Sequence, residues 1–216
     1  MIWSAASFKQ KLRLRAVKES SDSTASPVPT TGLIEPAPSR WSATDRLALV
    51  IATCGVGYIP IAPGTWGAAI GVGLYLLLRA MSIELFAGVT VRGWNEPPLE
   101  ALHQTLMLSV VICIGFVGTW AASRAEPLLA RKDPGPVVVD EVVGQLITFL
   151  FVPLKVGWWG VVAGFLLFRL FDIWKPYPIN RLEALESGLG IMADDVLAGA
   201  YAATLMSMLT TIYLFL

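Results

Sequence analysis

The sequence predicts an all-α integral membrane protein, a multi-helical bundle with a polar site at one membrane face. Three observations predict it. Hydrophobic residues make up 55% of the chain and charged ones 15%, with a mean hydropathy of +0.64, whereas globular domains carry about 25% charge. The apolar residues fall in runs long enough to cross a hydrocarbon core, which takes about 20 helical residues. The acidic clusters within the C-terminal half each abut such a run, where ionisable groups pair, bind ions or mark a functional path. A soluble single domain is disfavoured. The 16 Lys and Arg cancel the 16 Asp and Glu, which leaves no bulk positive charge to bind nucleic acid. Cys54 and Cys113 lack metal-ligand spacing and read as buried small hydrophobes rather than a disulfide or zinc site.

Residues 1–46 read as a disordered cytoplasmic tail ahead of a membrane domain over 47–216. Lys9, Lys11, Arg13, Arg15 and Lys18 form a basic head, followed by a Ser/Thr/Pro-rich stretch from Glu19 to Ser39. No apolar run follows the basic residues directly, so a cleaved export signal is not expected. Such a composition buries too little apolar surface to offset chain entropy, although Trp3, Phe8, Leu12 and Leu14 could line a weak helix on anionic lipid.

The run Leu47–Val56 is too short to span and reads as interfacial or re-entrant. Prolines and glycines in the Gly57–Gly67 loop break any helix, and Thr65 is expected to cap the one that follows. Spans are expected from Gly67 to Phe86, from Thr105 to Ala122, and from Val196 to Leu216. Val142–Val152 and Trp158–Trp174 read as a hairpin, with Trp158 and Trp159 at an interface. With the tail in the cytoplasm, residues 79–104 form an outer loop. The segments holding the acidic motifs and the Gly57–Gly67 loop then gather on the cytoplasmic face.

The acidic clusters are Asp140-Glu141, Asp172 and Asp194-Asp195. Taken singly, Asp194 and Asp195 could merely cap the last helix. Together, carboxylates converging at one face repel unless a hard cation neutralises them, and oxygen-only ligation suits Mg²⁺ or Mn²⁺. Arg169 and Lys175 flank Asp172 at i−3 and i+3, so a continuing helix places all three near one face. They read either as a structural ion pair or as a clamp on a phosphate already bridged to metal. The loop holding Gly64 and Thr65 is a second phosphate candidate, because glycine permits close approach and a helix N-terminus presents free N–H groups. Gly188-Leu189-Gly190 reads as a plain turn. His103, the single histidine, reads as a solvated loop residue, so neither a phosphohistidine nor a Ser-His relay is available. Metal-assisted displacement at phosphorus remains.

Four stretches in series resemble the phosphatidylglycerophosphatase A family: Gly57 to Gly67, Asp133 to Gln145, Phe168 to Ile179 and Gly188 to Gly199. The resemblance implies an all-helical bacterial enzyme of the cytoplasmic membrane, its site facing the cytoplasm, that hydrolyses phosphatidylglycerophosphate to phosphatidylglycerol and inorganic phosphate with Mg²⁺. It implies Asp140, Glu141, Asp172, Asp194 and Asp195 as metal and acid/base carboxylates, with Gly64, Thr65, Arg169 and Lys175 at the substrate phosphate. The basic head and a long polar insert at Ser82–Gln104 depart from the family pattern. Hydrolysis of another lipid or prenyl phosphate is the nearest alternative, followed by a cation-coupled transporter and a structural scaffold. The partners expected are a lipid substrate and the bilayer; the sequence says nothing of oligomeric state.

Overall fold

The computed structural model describes residues 41–90, 96–182 and 187–216. The expected disordered tail lies outside the described residues up to residue 40. Helix α1 (Ala43–Thr53) opens on a capping box. Ser42 Oγ accepts from the Asp45 N–H at 3.1 Å, and the Asp45 carboxylate accepts from the Ser42 N–H at 2.9 Å, satisfying two donors a helix start leaves orphaned. α1 buries Ala48, Leu49 and Ala52 and leaves Leu47 and Val50 exposed. Its 11 residues reach about 16 Å, too short to span.

Helix α2 (Pro63–Thr90) begins on a proline, whose missing N–H costs nothing at a first helical position. Thr65 therefore lies inside the first turn, its N–H bonded to the Ala62 carbonyl at 2.9 Å, and is not the expected cap. Helix α3 (Glu96–Leu128) contains the expected span Thr105–Ala122 and starts well before it. Much of the expected outer loop at 79–104 is thus helical. Arg79 does not end α2 because its guanidinium has a partner at depth, the Leu154 carbonyl at 2.6 Å. His103 is also corrected: it is buried on α3, with Nδ1 2.8 Å from Ser82 Oγ.

Helices α4 (Val139–Thr148) and α5 (Trp158–Trp174) form the hairpin. Gly144 lies against Phe168 and Gly164 against Phe149, so the two run antiparallel. The run Val142–Val152 is not one helix. It turns after Thr148, and α4 has only 10 residues. Among the described residues, three helices are long and apolar enough to cross a membrane: Pro63–Leu85, Leu99–Leu128 and Gly188–Phe215. The hairpin tip satisfies its backbone through charges on its neighbours. Leu154 N–H donates to Glu100 Oε1 at 3.1 Å while its carbonyl accepts from Arg79. Such partners are what non-helical backbone needs when water is scarce.

After the short α6 (Ile179–Leu182), α7 (Ser187–Phe215) packs against α3, α4, α5 and α6. It begins before the expected Val196, so Gly188-Leu189-Gly190 is helical rather than a turn, and Asp194 and Asp195 lie inside the helix rather than capping it. Close approach to α4 demands glycine. A Cβ at Gly199 would sit 2.4 Å from the Gly144 carbonyl oxygen, and one at Gly144 would sit 2.6 Å from the Asp195 carbonyl oxygen. Two helix backbones in contact cannot yield to such an atom, as in the small-residue interfaces of membrane helices. The core beside this contact includes Tyr75 stacked on Phe149 at 4.2 Å between centroids. Cys54 is half-buried and Cys113 exposed, so Cys113 is not the buried hydrophobe expected.

Candidate metal and phosphate site

The α4–α7 contact sets the site. Asp140 and Glu141 occupy the first turn of α4, and the Gly144 contact lies one turn inward, against the backbone of Asp195. The three carboxylates thereby converge, each offering an oxygen such that all lie within 4.8 Å of one another. Asp140 and Asp195 are buried. Asp172, near the end of α5, is a hydrogen-bonding neighbour of the Asp195 carboxyl. Asp172 also accepts from Arg169 Nη1. Asp194 is drawn away from the cluster, its Oδ2 2.7 Å from Lys175 Nζ.

The sequence places Arg169, Asp172 and Lys175 on one continuing helical face, and here the structure differs. α5 ends at Trp174, and Lys175 adopts a left-handed cap, φ 45°, with its N–H on the Phe171 carbonyl. That turn sends the ammonium to Asp194 on α7. Gly64 is the point where α2 meets the site: a Cβ there would lie 2.3 Å from Glu141 Oε1 and 3.1 Å from Arg169 Nη1. The loop entering α2 is therefore brought against the acidic cluster. Thr65 follows Gly64 in the same helical turn.

Burial, reinforced by the Glu141 and Asp195 charges, holds the Asp140 carboxyl well above the usual carboxylate range. Burial also raises Glu141, offset in part by its hydrogen bond with Asp140. Asp140 Oδ1 and Glu141 Oε2 are buried without a hydrogen-bond partner. Orphaned carboxylate oxygens are among the costliest groups to bury. Hard oxygen donors, convergent and unsatisfied, fit a divalent cation such as Mg²⁺. One turn inward from Glu141, the fully buried Gln145 also leaves its amide nitrogen and oxygen unpaired. Sequence reasoning gave Gln145 no role, although its i+4 spacing from Glu141 puts both on one face of α4.

Fold and cluster define a class: a helical membrane protein with an oxygen-only acidic pocket bordered by an arginine and a lysine. Within that class, the chain belongs to the phosphatidylglycerophosphatase A family, whose sequence model it matches over residues 49–210. It is an enzyme of that phosphoric monoester hydrolase type. Phosphatidylglycerophosphatase A of Escherichia coli is 30% identical over 171 residues, covering 79% of this chain and 87% of the relative. The Haemophilus influenzae protein of the same name is 33% identical over 165 residues, 76% and 88% respectively. A protein of Bacteroides thetaiotaomicron provisionally named a phosphatidylinositol-3-phosphatase is 39% identical over 158 residues, covering 71% of this chain and 86% of its own. No solved structure matches.

Proposed function

We propose that the protein is a Mg²⁺-dependent phosphatase that hydrolyses phosphatidylglycerophosphate to phosphatidylglycerol and inorganic phosphate at the cytoplasmic face of a bacterial inner membrane. The observation that carries this reading is the convergence of Asp140, Glu141 and Asp195 within 4.8 Å, with two buried oxygens unpartnered, in a member of this family. These three residues would hold the ion, which when bound polarises a phosphoryl oxygen and makes water more acidic. Asp172 borders the cluster beside Asp195 and is positioned to take a proton from the attacking water. Arg169 orients Asp172 through Nη1, and a guanidinium has further N–H groups to offer a phosphate. Lys175, held against Asp194, adds positive charge where a monoester dianion arrives. Gly64 lets the α2 N-terminus, the positive end of the helix dipole, approach the same point. The water oxygen bonds to phosphorus as the phosphorus–oxygen bond to the glycerol breaks, and the departing alkoxide takes up the proton that Asp172 received.

A second reading replaces the headgroup. The Bacteroides relative is named for a phosphoinositide, and both lipids present a phosphomonoester on a polyol. Purified protein in mixed micelles, offered each lipid in turn with and without EDTA, discriminates them. Phosphate release from phosphatidylglycerophosphate alone, lost in EDTA and restored by Mg²⁺, is expected. Equal or faster release from phosphatidylinositol 3-phosphate would favour the alternative, and near-wild-type rates in both Asp140→Ala and Lys175→Ala would remove the proposed site.

A further inference from the structure

We propose that an apolar groove between α2 and α5 receives one acyl chain of the lipid whose phosphate engages the acidic cluster. The inference rests on the lipid-phosphatase reading and adds how the substrate is held. The groove, about 250 Å³, is lined by Ala69, Val72, Val161, Val162, Phe165 and Leu166. Its α5 wall continues a helical stripe of the site, and its α2 wall runs beside one. On α2, Ala69 and Val72 fall at i+4 and i+7 from Thr65, on the face beside the Gly64, Gly67 and Gly71 stripe that meets α4. On α5, Arg169 sits above Leu166, Phe165 and Val162 at i−3, i−4 and i−7, again one face. The apolar floor therefore begins one turn inward from the polar residues. Val162 and Leu166 are 56% and 59% exposed, so the groove opens sideways, toward lipid. A phosphate drawn to Arg169 places its chain along that floor without leaving the bilayer.

A larger groove, about 520 Å³, runs between α3 and α7 past Ile112, Phe116, Leu189 and Val196. Volume does not make it the better site. Its α7 wall, Leu189, Ala193, Val196 and Ala200, is a different stripe from that of Asp195, which shares its face with the buried Ile191, Ala198 and Ala202. A chain lodged there would leave its headgroup around the far side of α7 from the cluster.

The test fills each groove in turn. Ala69→Phe occupies the smaller groove, and Gly115→Leu occupies the larger, where an added Cβ meets nothing within 4 Å. Each variant is assayed with dioleoyl phosphatidylglycerophosphate and with the deacylated headgroup, glycerophosphoglycerophosphate. Ala69→Phe is expected to raise KM for the diacyl lipid by about tenfold, the scale of a blocked apolar contact, and to leave the headgroup kinetics unchanged. Gly115→Leu is expected to change neither. Equal effects of Ala69→Phe on both substrates, no effect on either, or a diacyl-selective loss in Gly115→Leu overturns the groove. Wild-type protein inert toward both substrates would instead count against the lipid-phosphatase reading. The groove is then read without turnover, by photo-crosslinking EDTA-treated wild-type protein with a phosphatidylglycerophosphate analogue carrying a diazirine at the end of one chain. Adducts on Phe165 or Leu166 support the proposal, and adducts confined to α3 and α7 overturn it.

Discussion

Two polar clusters lie in the apolar body of this protein, and they are built differently. At one end, Asp140, Glu141, Asp172, Asp194 and Asp195 face two cations, Arg169 and Lys175, and carboxylate oxygens are left without partners. At the other, Arg79 and Glu100 close on the two peptide groups of Leu154, with His103 bonded to Ser82 nearby. Arg79 lies 15 residues beyond Gly64 on the same helix, which separates the clusters by about 22 Å. Among the described residues, what is left over at the far end is the Tyr75 hydroxyl and one imidazole nitrogen, His103 Nε2, not a carboxylate. A cluster whose charges find protein partners holds backbone in place. A cluster with surplus anionic oxygen is short of partners, and that imbalance is why the proposed site is placed at this end.

The sharpest way to break this contrast is to remove one of the proposed acidic ligands. Asp195→Asn is expected to lower kcat by about a thousandfold or more, within the range of lost acid/base and electrostatic assistance. Its thermal stability in EDTA should hold or rise, because a buried repelling charge is gone. A variant retaining activity with an unchanged Mg²⁺ requirement would equate the two ends. Gly64→Ala is expected to act next most strongly. The new methyl must displace the Glu141 carboxylate, so apparent Mg²⁺ affinity should fall by about 10–100-fold, as when a ligand's support is disturbed, which a Mg²⁺ titration of activity measures.

The far cluster should respond in stability instead. Glu100→Gln, which weakens a charge-assisted bond to the hairpin tip, is expected to cost about 1–3 kcal/mol in detergent unfolding, with kcat of the folded fraction within about twofold of wild type. Loss of kcat with no loss of stability would assign that end a catalytic part. The smallest effect is expected at α1. Ser42→Ala removes the cap at a cost of about 1 kcal/mol, with no change in Mg²⁺ dependence. The Ser42 hydroxyl and N–H, helped by Arg124, hold the Asp45 carboxyl below the usual range. Its contribution is therefore present above the ordinary carboxylate pKa and is lost as pH falls through the lowered one. Wild type should lose more stability than Asp45→Asn on acidification, measured as Tm against pH.

Much of this contrast was legible in the chain itself. Composition and run length determined the all-helical membrane character, because burying backbone in lipid leaves few structures available. The residues bearing the acidic motifs and their family resemblance were also readable, since helix ends and short motifs are local. Legibility failed where partners come from afar. His103 looks like a loop residue until Ser82, on another helix, is seen 2.8 Å away. Arg79 looks like an unpaired charge within an expected span until Leu154 answers it.

Sequence alone thus determined what kind of molecule this is and which side chains carry its charge. Tertiary structure decided which of them meet across helices: Asp195 with Asp140 and Glu141, and Asp194 with Lys175. The physical reason is that helix periodicity fixes only the face on which a residue lies. Which faces touch is decided by contacts between distant segments, here by glycines at 144 and 199 that let two backbones close to a distance no side chain would allow.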